Sequence, residues 1–248
     1  MKAFDIDFYD GSKEELIREI VDISEREFSY IVTPNVNHVV QLEHDEGLKK
    51  AYVKALHRVC DSRVLLPFLR AQGAQVQEAI PGSTLTADLI VLADKHRWKV
   101  CVIGCEPANM TRLQDRFPGI TFYHYYPPMG FINDQGAVEA CLAFIAAHPS
   151  RLVVLALGCT TQEVLALKIL EAENATGVGL CVGGSLNFLS GSVPRAPRWV
   201  QQISLEWLHR VCTEPRRLTG RYARDAWRFV PILIRQLRQS TSLFGVKQ

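Results

Sequence analysis

"LVVLALGCTTQEVLALKILEA", residues 152–172, decides the fold class. A strand-sized apolar run, 152–158, ends at a glycine, and the stretch 161–172 then carries helical spacing. The same unit recurs upstream: "KVCVIG" at 99–104 precedes a helical stretch around 107–116, and "ITFYHYY" at 120–126 precedes another at 135–147. "GVGLCVG" at 177–183 is a further strand. Apolar strands alternating with helices imply a parallel sheet covered on both faces, a Rossmann-like α/β body.

Towards the N-terminus, Ser12-Lys13-Glu14-Glu15 has capping-box spacing ahead of the apolar stripe Leu16, Ile20 and Ile23. "YIVTPN" reads as a short strand ending at Pro34, residues 36–57 carry helical spacing, "RVCDSRV" is a short buried segment, and a helix is expected over Leu85–His96. Sheets of this kind bind ligands where loops leave the carboxyl ends of the strands. The candidate ends are Thr33-Pro34-Asn35, Asp61-Ser62, Gly104, Gly158 and Gly183-Gly184. None begins a GxGxxG or a Walker loop, which disfavours a dinucleotide oxidoreductase.

The chain of 248 residues has a net charge of only +2, against a dedicated nucleic-acid binder. Its seven cysteines are odd in number, lie mostly in apolar runs and form no CxxC pair, so reduced thiols are expected. Cys101 and Cys105 lack a matched Cys or His pair, and His38, His57 and His124 have no metal spacing; packing or hydrogen bonding is expected of them. The N-terminus resembles no signal peptide, and no apolar run reaches transmembrane length, so a soluble chain on the cytoplasmic side is expected.

After Gly191 the character changes. "SVPRAPRW" is a Pro/Arg linker, so the division is a body over residues 1–194 and a helical appendage over 195–248. Pro197 suits the first turn of a helix carrying Trp199, Val200, Ile203, Trp207, Leu208 and Val211, with Pro215 expected to end it. Residues 214–239 hold seven arginines and no lysine. On a helix over 221–238, Arg221, Arg224, Arg228, Arg235 and Arg238 share one side. Tyr222, Ala226, Phe229, Val230, Leu233 and Leu237 share the other, with Trp227 and Ile234 at its border and Pro231 as a kink or break. Such a helix can pack on the body, lie on an anionic membrane surface or, third, bind nucleic acid. Its apolar face also leaves a homo-oligomer open.

Seven segments, in order, resemble the WecG/TagA/CpsF family, glycosyltransferase family 26. They are Thr33-Pro34-Asn35, the segment with Asp61, "YYPPMGF" (125–131), "LALGCTTQE" (155–163), "GGSLNFLSG" (183–191), "RAPRW" (195–199) and "LEWLHRVCTEPRRLTGRY" (205–222). The resemblance implies a Rossmann-like fold and an inverting transfer of a sugar from a nucleotide diphosphate donor to a sugar on a polyprenyl diphosphate. It implies no metal or other cofactor, and a C-terminal appendage that sits on the inner face of the cytoplasmic membrane. Plausible donors in such a family are UDP-linked N-acetylmannosamine, its uronic acid and glucose. Asp61 matches the family's proposed base, Thr33 and Asn35 its active-site neighbours, and Gln162 a sugar-contacting glutamine. Four departures stand out: Cys60-Asp61-Ser62 replaces proline-Asp-glycine, Ala79 stands at a usual arginine, Asn187 at a usual Asp, and Thr160-Thr161 at a usual proline-lysine.

Inverting transfer needs a base for the acceptor hydroxyl, the role expected of Asp61, and positive charge at the departing diphosphate. Asp61 has no adjacent carboxylate with which to share a divalent cation. Arginine binds phosphate through a planar fork, which nominates Arg210, Arg217 and Arg221. Gly104, Gly158 and Gly184 are expected to line the substrate cleft. Trp227, Arg228, Phe229 and Leu233 are expected to form the membrane foot. The rival from another class is a non-catalytic nucleotide-binding or scaffold protein, motivated by Ala79 and Asn187.

Overall fold

The structure, a computed structural model, describes residues 3–202 and 205–244; the side chains of Arg198, Gln202, Arg217 and residues 239–244 lie outside the described part. The elements begin α1 (Lys13–Ile23), β1 (Ser29–Val32), α2 (Val36–Leu42), α3 (Glu46–Lys54), β2 (His57–Arg58), α4 (Leu66–Ala71) and α5 (Gly82–Lys95). They continue with β3 (Lys99–Gly104), α6 (Pro107–Arg116), β4 (Thr121–Tyr125), α7 (Gln135–Ala147), β5 (Leu152–Ala156), α8 (Thr161–Ala172), β6 (Val178–Cys181) and α9 (Ser185–Leu189). Three helices close the chain: α10 (Arg198–Gln202), α11 (Glu206–Thr213) and α12 (Pro215–Phe244).

The strands form one six-stranded sheet in the order β2-β1-β6-β5-β3-β4, and every pairing is parallel. Alternate strand residues serve opposite layers, as the two-residue period of a strand requires. Tyr30, Val32, Cys101, Ile103, Val153, Leu155 and Cys181 belong to one core. Ile31, Val100, Val102, Leu152, Val154, Val178 and Leu180 belong to the other. The doubly covered α/β body read from the four apolar runs is therefore the observed fold.

Local chemistry explains the boundaries. Ser12 starts α1 with its capping box complete: the Ser12 backbone N–H donates to Glu15 Oε2 at 2.8 Å, and the Glu15 N–H donates back to Ser12 Oγ at 3.3 Å. The helical spacing over 36–57 resolves into two helices and the short strand β2. Asp45 cuts the helices apart, because its Oδ1 accepts the Leu48 N–H at 2.8 Å and starts a new helix. The helix α11 ends at Thr213, just ahead of Pro215 as expected, and Pro215 also begins α12. With φ fixed and no N–H to place, proline costs nothing at a first helical position. The helix expected over 197–211 is divided into α10 and α11, and Ile203, one of its apolar residues, lies outside the described residues. Pro231 sits inside α12 on its exposed side without ending it.

The helix α12 lies against the body. Leu218, Asp225, Phe229 and Ile232 are buried, a spacing that lines one face of a helix. The Phe229 ring lies 5.6 Å from Phe4 and 5.9 Å from Phe68. Arg235 donates to Glu43, just past α2, at 2.6 Å. Burying Phe229 and Ile232 stabilises this docking by about 1.5–3 kcal/mol each.

Candidate active site

The loops after β2, β1, β6 and β5, neighbours in the sheet, meet at its carboxyl edge. Thr33 follows β1 and is buried; its hydroxyl donates to the Cys181 carbonyl at 2.8 Å and joins the ends of β1 and β6. Asn35 caps α2. Its Oδ1 accepts the Asn37 N–H at 3.1 Å, while Nδ2 donates to Asp61 Oδ2 at 3.3 Å. The second Asp61 oxygen accepts the Gly82 N–H at 2.6 Å. The half-buried Asp61 carboxylate thus sits at the N-terminus of α5, an end carrying partial positive charge. A side chain on Gly82 would crowd Thr33 Oγ1 at 3.3 Å while making only ordinary contact with Asp61 Oδ1 at 3.5 Å, so glycine eases the approach of α5 to Thr33.

Beyond β5 the chain passes Gly158 and Cys159 to Thr160, whose φ of +70° is unfavourable for a β-branched residue. This turn delivers Gln162 and Glu163 inward. Gln162 Oε1 accepts the Gly183 N–H at 2.8 Å, and its Nε2 donates to Glu163 Oε1 at 2.8 Å. Glu163 is fully buried, and its Oε1 lies 3.2 Å from His38 Nε2. The other nitrogen, His38 Nδ1, lies 3.0 Å from Asn35 Oδ1. A polar chain therefore runs from Gly183 through Gln162, Glu163, His38 and Asn35 to Asp61. Burial opposes a charge on His38, but the neighbouring Cys159 and Glu163 outweigh it and hold the imidazole pKa well above its ordinary value.

Gly104 ends β3 with φ +85°, and a Cβ there would come within 2.6 Å of the Ala156 carbonyl. His124 Nε2 lies 2.8 Å from the Gly104 carbonyl, which makes it a hydrogen-bonding residue of that turn. Gly184 precedes α9, where Asn187 Oδ1 accepts from Asn109 at 3.1 Å. Ala79 is buried in the core and brings no charge. A different arginine reaches the first turn of α5: Arg195 donates to Thr84 Oγ1 at 2.7 Å and lies 3.8 Å from Glu206 of α11.

The nominated arginines are not equivalent. Arg210 lies over the Phe188 ring of α9 at 5.4 Å, and its buried Nε has no hydrogen-bond partner among the described residues. Arg221 is exposed, its guanidinium 5.1 Å from the centre of the Tyr222 ring, and its charge acts to lower the pKa of Asp225 on the same helix. The Arg217 side chain lies outside the described part. Trp227 and Arg228 are exposed, whereas Phe229 is buried and Leu233 packs on the body core. The last two are corrected as lipid-facing residues: they lie on the stripe that α12 needs for its own docking.

Sequence reasoning missed Gly82, Glu163 and Arg195. Pro81-Gly82 at a helix start was a legible signal for the first, and the first turn after "GCTT" was one for the second. Arg195 reaches α5 across 111 residues of sequence, which no local pattern reveals.

A sequence model described as "Glycosyl transferase WecG/TagA/CpsF family" matches residues 1–242. The chain is 27% identical over 219 residues to an N-acetylglucosaminyldiphosphoundecaprenol N-acetyl-beta-D-mannosaminyltransferase of Bacillus spizizenii. That match covers 86% of this chain and 82% of the relative. Fold, motif order and a match over nearly the whole length agree: the chain belongs to the WecG/TagA/CpsF family of glycosyltransferases.

Proposed function

We propose that the chain moves an N-acetylmannosamine-type sugar from a UDP-sugar to a sugar borne on a polyprenyl diphosphate, in building a bacterial surface polysaccharide. The observation that carries this reading is the Asp61 carboxylate. It is braced by the Gly82 N–H and the Asn35 amide at the mouth of the parallel sheet. A carboxylate fixed by two donors keeps lone pairs for an acceptor hydroxyl, whose proton it takes as that oxygen attacks the anomeric carbon. Attack from the face opposite the diphosphate inverts the anomeric centre. Thr33 and Asn35 orient the reactants, and Gln162 with the Gly183-Gly184 loop contacts the donor.

Charge on the departing diphosphate is met by arginine, without a metal in the chemical step. The partnerless Nε of Arg210 near α9 supports this, as does Arg195 at the start of α5. Among the described residues no helix is long and apolar enough to cross a membrane. The exposed face of α12 carries Trp227, Val230, Ile234 and Leu237, interleaved with the exposed Arg224, Arg228, Arg235 and Arg238. That composition supports peripheral docking on an anionic surface. The inner face of the cytoplasmic membrane is the place where a soluble nucleotide sugar meets a lipid-borne acceptor.

The test is a screen of UDP-sugars with a synthetic polyprenyl-diphosphate N-acetylglucosamine, reading UDP release and product mass. Transfer from UDP-N-acetylmannosamine or a close relative is expected. A chain that binds donor but transfers none of the sugars to this acceptor would overturn the reading.

A further inference from the structure

Behind Asp61, three side chains with metal-binding donors converge on one spot. Atoms of His38, Cys159 and Glu163 that can ligate a metal all lie within 4.8 Å of one another. We propose that this cluster binds one borderline divalent cation of the zinc type, through His38 Nε2, Cys159 Sγ and Glu163 Oε2. The cation ties the loop after β5 to α2 and α8.

The hydrogen bonds already assign the donors. Asn35 occupies His38 Nδ1, which fixes the ring and points Nε2 at Glu163 Oε1; the cation takes the place of the proton held between those two atoms. An outer hydrogen bond of this kind orients metal-bound histidines. Gln162 occupies Glu163 Oε1. Glu163 Oε2 has no hydrogen-bond partner among the described residues, although the side chain is fully buried. The hydroxyl of Tyr52, another buried side chain that lies near His38, is also partnerless among the described residues. A fully buried carboxylate oxygen without a donor is costly, and a cation removes that cost.

One imidazole, one thiolate and one carboxylate suit zinc better than magnesium or calcium, which take oxygen donors. Zinc bonds of about 2.0–2.3 Å bring donors to roughly 3.5 Å from one another. His38 Nε2 lies 3.2 Å from the other oxygen of the Glu163 carboxylate, Oε1, and one ligand atom of each of the three residues lies within 4.8 Å of the others. Cys159, the least buried of the three, has the remaining distance to close. The left-handed Thr160 directs this loop, and strain of that kind persists where the surroundings enforce it. Because His38 is bonded to Asn35, and Asn35 to Asp61, an ion here also steadies the side chain beneath the proposed base.

The experiment uses the full chain, stripped with a chelator and titrated with Zn²⁺ against a competing indicator, with Co²⁺ as an optical probe. About one tight equivalent and a thiolate-to-cobalt charge-transfer band are expected. Cys159→Ser should abolish the band and weaken Zn²⁺ binding by about 100-fold or more. Alkylation of the unaltered protein, read by mass spectrometry, guards against a variant that fails to fold. Zn²⁺ should protect Cys159 while the exposed Cys212 still reacts. Absence of a tight equivalent, a cobalt spectrum without the thiolate band, or Cys159 alkylated equally with and without Zn²⁺ would each overturn the site.

Discussion

The backbone N–H of Gly82 donates to Asp61 Oδ1 at 2.6 Å, so the first residue of α5 holds the carboxylate that follows β2. The bond spans 21 residues and joins two loops that enter the site from different directions. It makes the carboxylate a fixed part of the sheet edge, and it separates the chemical role of Asp61 from its structural one. Asparagine can still accept from Gly82 through its side-chain oxygen, but it cannot take up a proton. Its NH2 group would face Asn35 Nδ2, donor against donor, so Asp61→Asn should stay folded at a cost of about 1–3 kcal/mol and lose about 10²–10⁴-fold in kcat, the usual worth of a general base. Steady-state UDP release beside a thermal melt reads both, and turnover close to that of the unaltered protein removes the assignment.

Gln162 has a different balance. Its amide joins the Gly183 N–H to the buried Glu163 carboxylate, so truncation strands groups on both sides. Gln162→Ala should lower stability by about 1–3 kcal/mol as well as activity, because the Gly183 N–H and Glu163 each lose a partner. Urea unfolding checks the first effect. An unchanged midpoint would mean that the polar chain carries no structural weight.

The parts of this molecule legible in sequence are those written in local periodicity. The apolar runs that became β3, β5 and β6 carry their own register, and Ser12 announces α1 through a residue three positions away. Asp61, Thr33 and Asn35 were legible as positions, because each follows a strand where an α/β sheet opens its cleft, while the roles expected of them came from the family resemblance. What stayed hidden depends on pairs distant in sequence. His38 meets Glu163 across 125 residues and Arg195 meets Thr84 across 111. The α12 helix misled for a related reason. Helical spacing sets Phe229 on the apolar side and Trp227 at its border, but only the packing of Phe229 against Phe4 and Phe68 shows that this side meets the body and not lipid.

Asp225 lies on the buried side of α12, and its Oδ2 has no hydrogen-bond partner among the described residues. Burial raises its pKa, against the opposing pull of Arg221, Arg224 and Arg228 on its own helix and of His38 on α2. A carboxyl whose folded pKa is raised favours folding below its unfolded value of 3.8, and this advantage is lost as pH rises through the folded value. Asp225→Asn removes the charge and keeps the shape. The variant should gain stability over the unaltered protein as pH rises through that window and hold a constant advantage above it. Paired thermal melts from acid to neutral pH measure the difference, and parallel curves would contradict the buried-charge account.

The two faces of α12 predict opposite outcomes for two aromatic residues two positions apart. Phe229 is buried and Trp227 is 84% exposed. Deleting residues 196–248, the natural way to probe a membrane appendage, would strip Phe229 and Ile232 from the body core and confound lipid binding with unfolding. Point substitutions separate them. Phe229→Ala leaves a cavity against Phe4 and Phe68 and should cost about 3 kcal/mol of stability. Trp227→Ala combined with Val230→Ser and Ile234→Ser alters only exposed side chains. It should leave the melt unchanged while weakening sedimentation with anionic liposomes by roughly tenfold or more, since binding scales with the apolar area that enters the interface. Transfer to a lipid-borne acceptor should fall with it, and transfer to a short-chain, water-soluble acceptor should persist. Liposome binding that survives the triple substitution would place the lipid contact elsewhere, with the exposed Trp199, Trp207 and Leu208 of α10 and α11 as the next surface to alter.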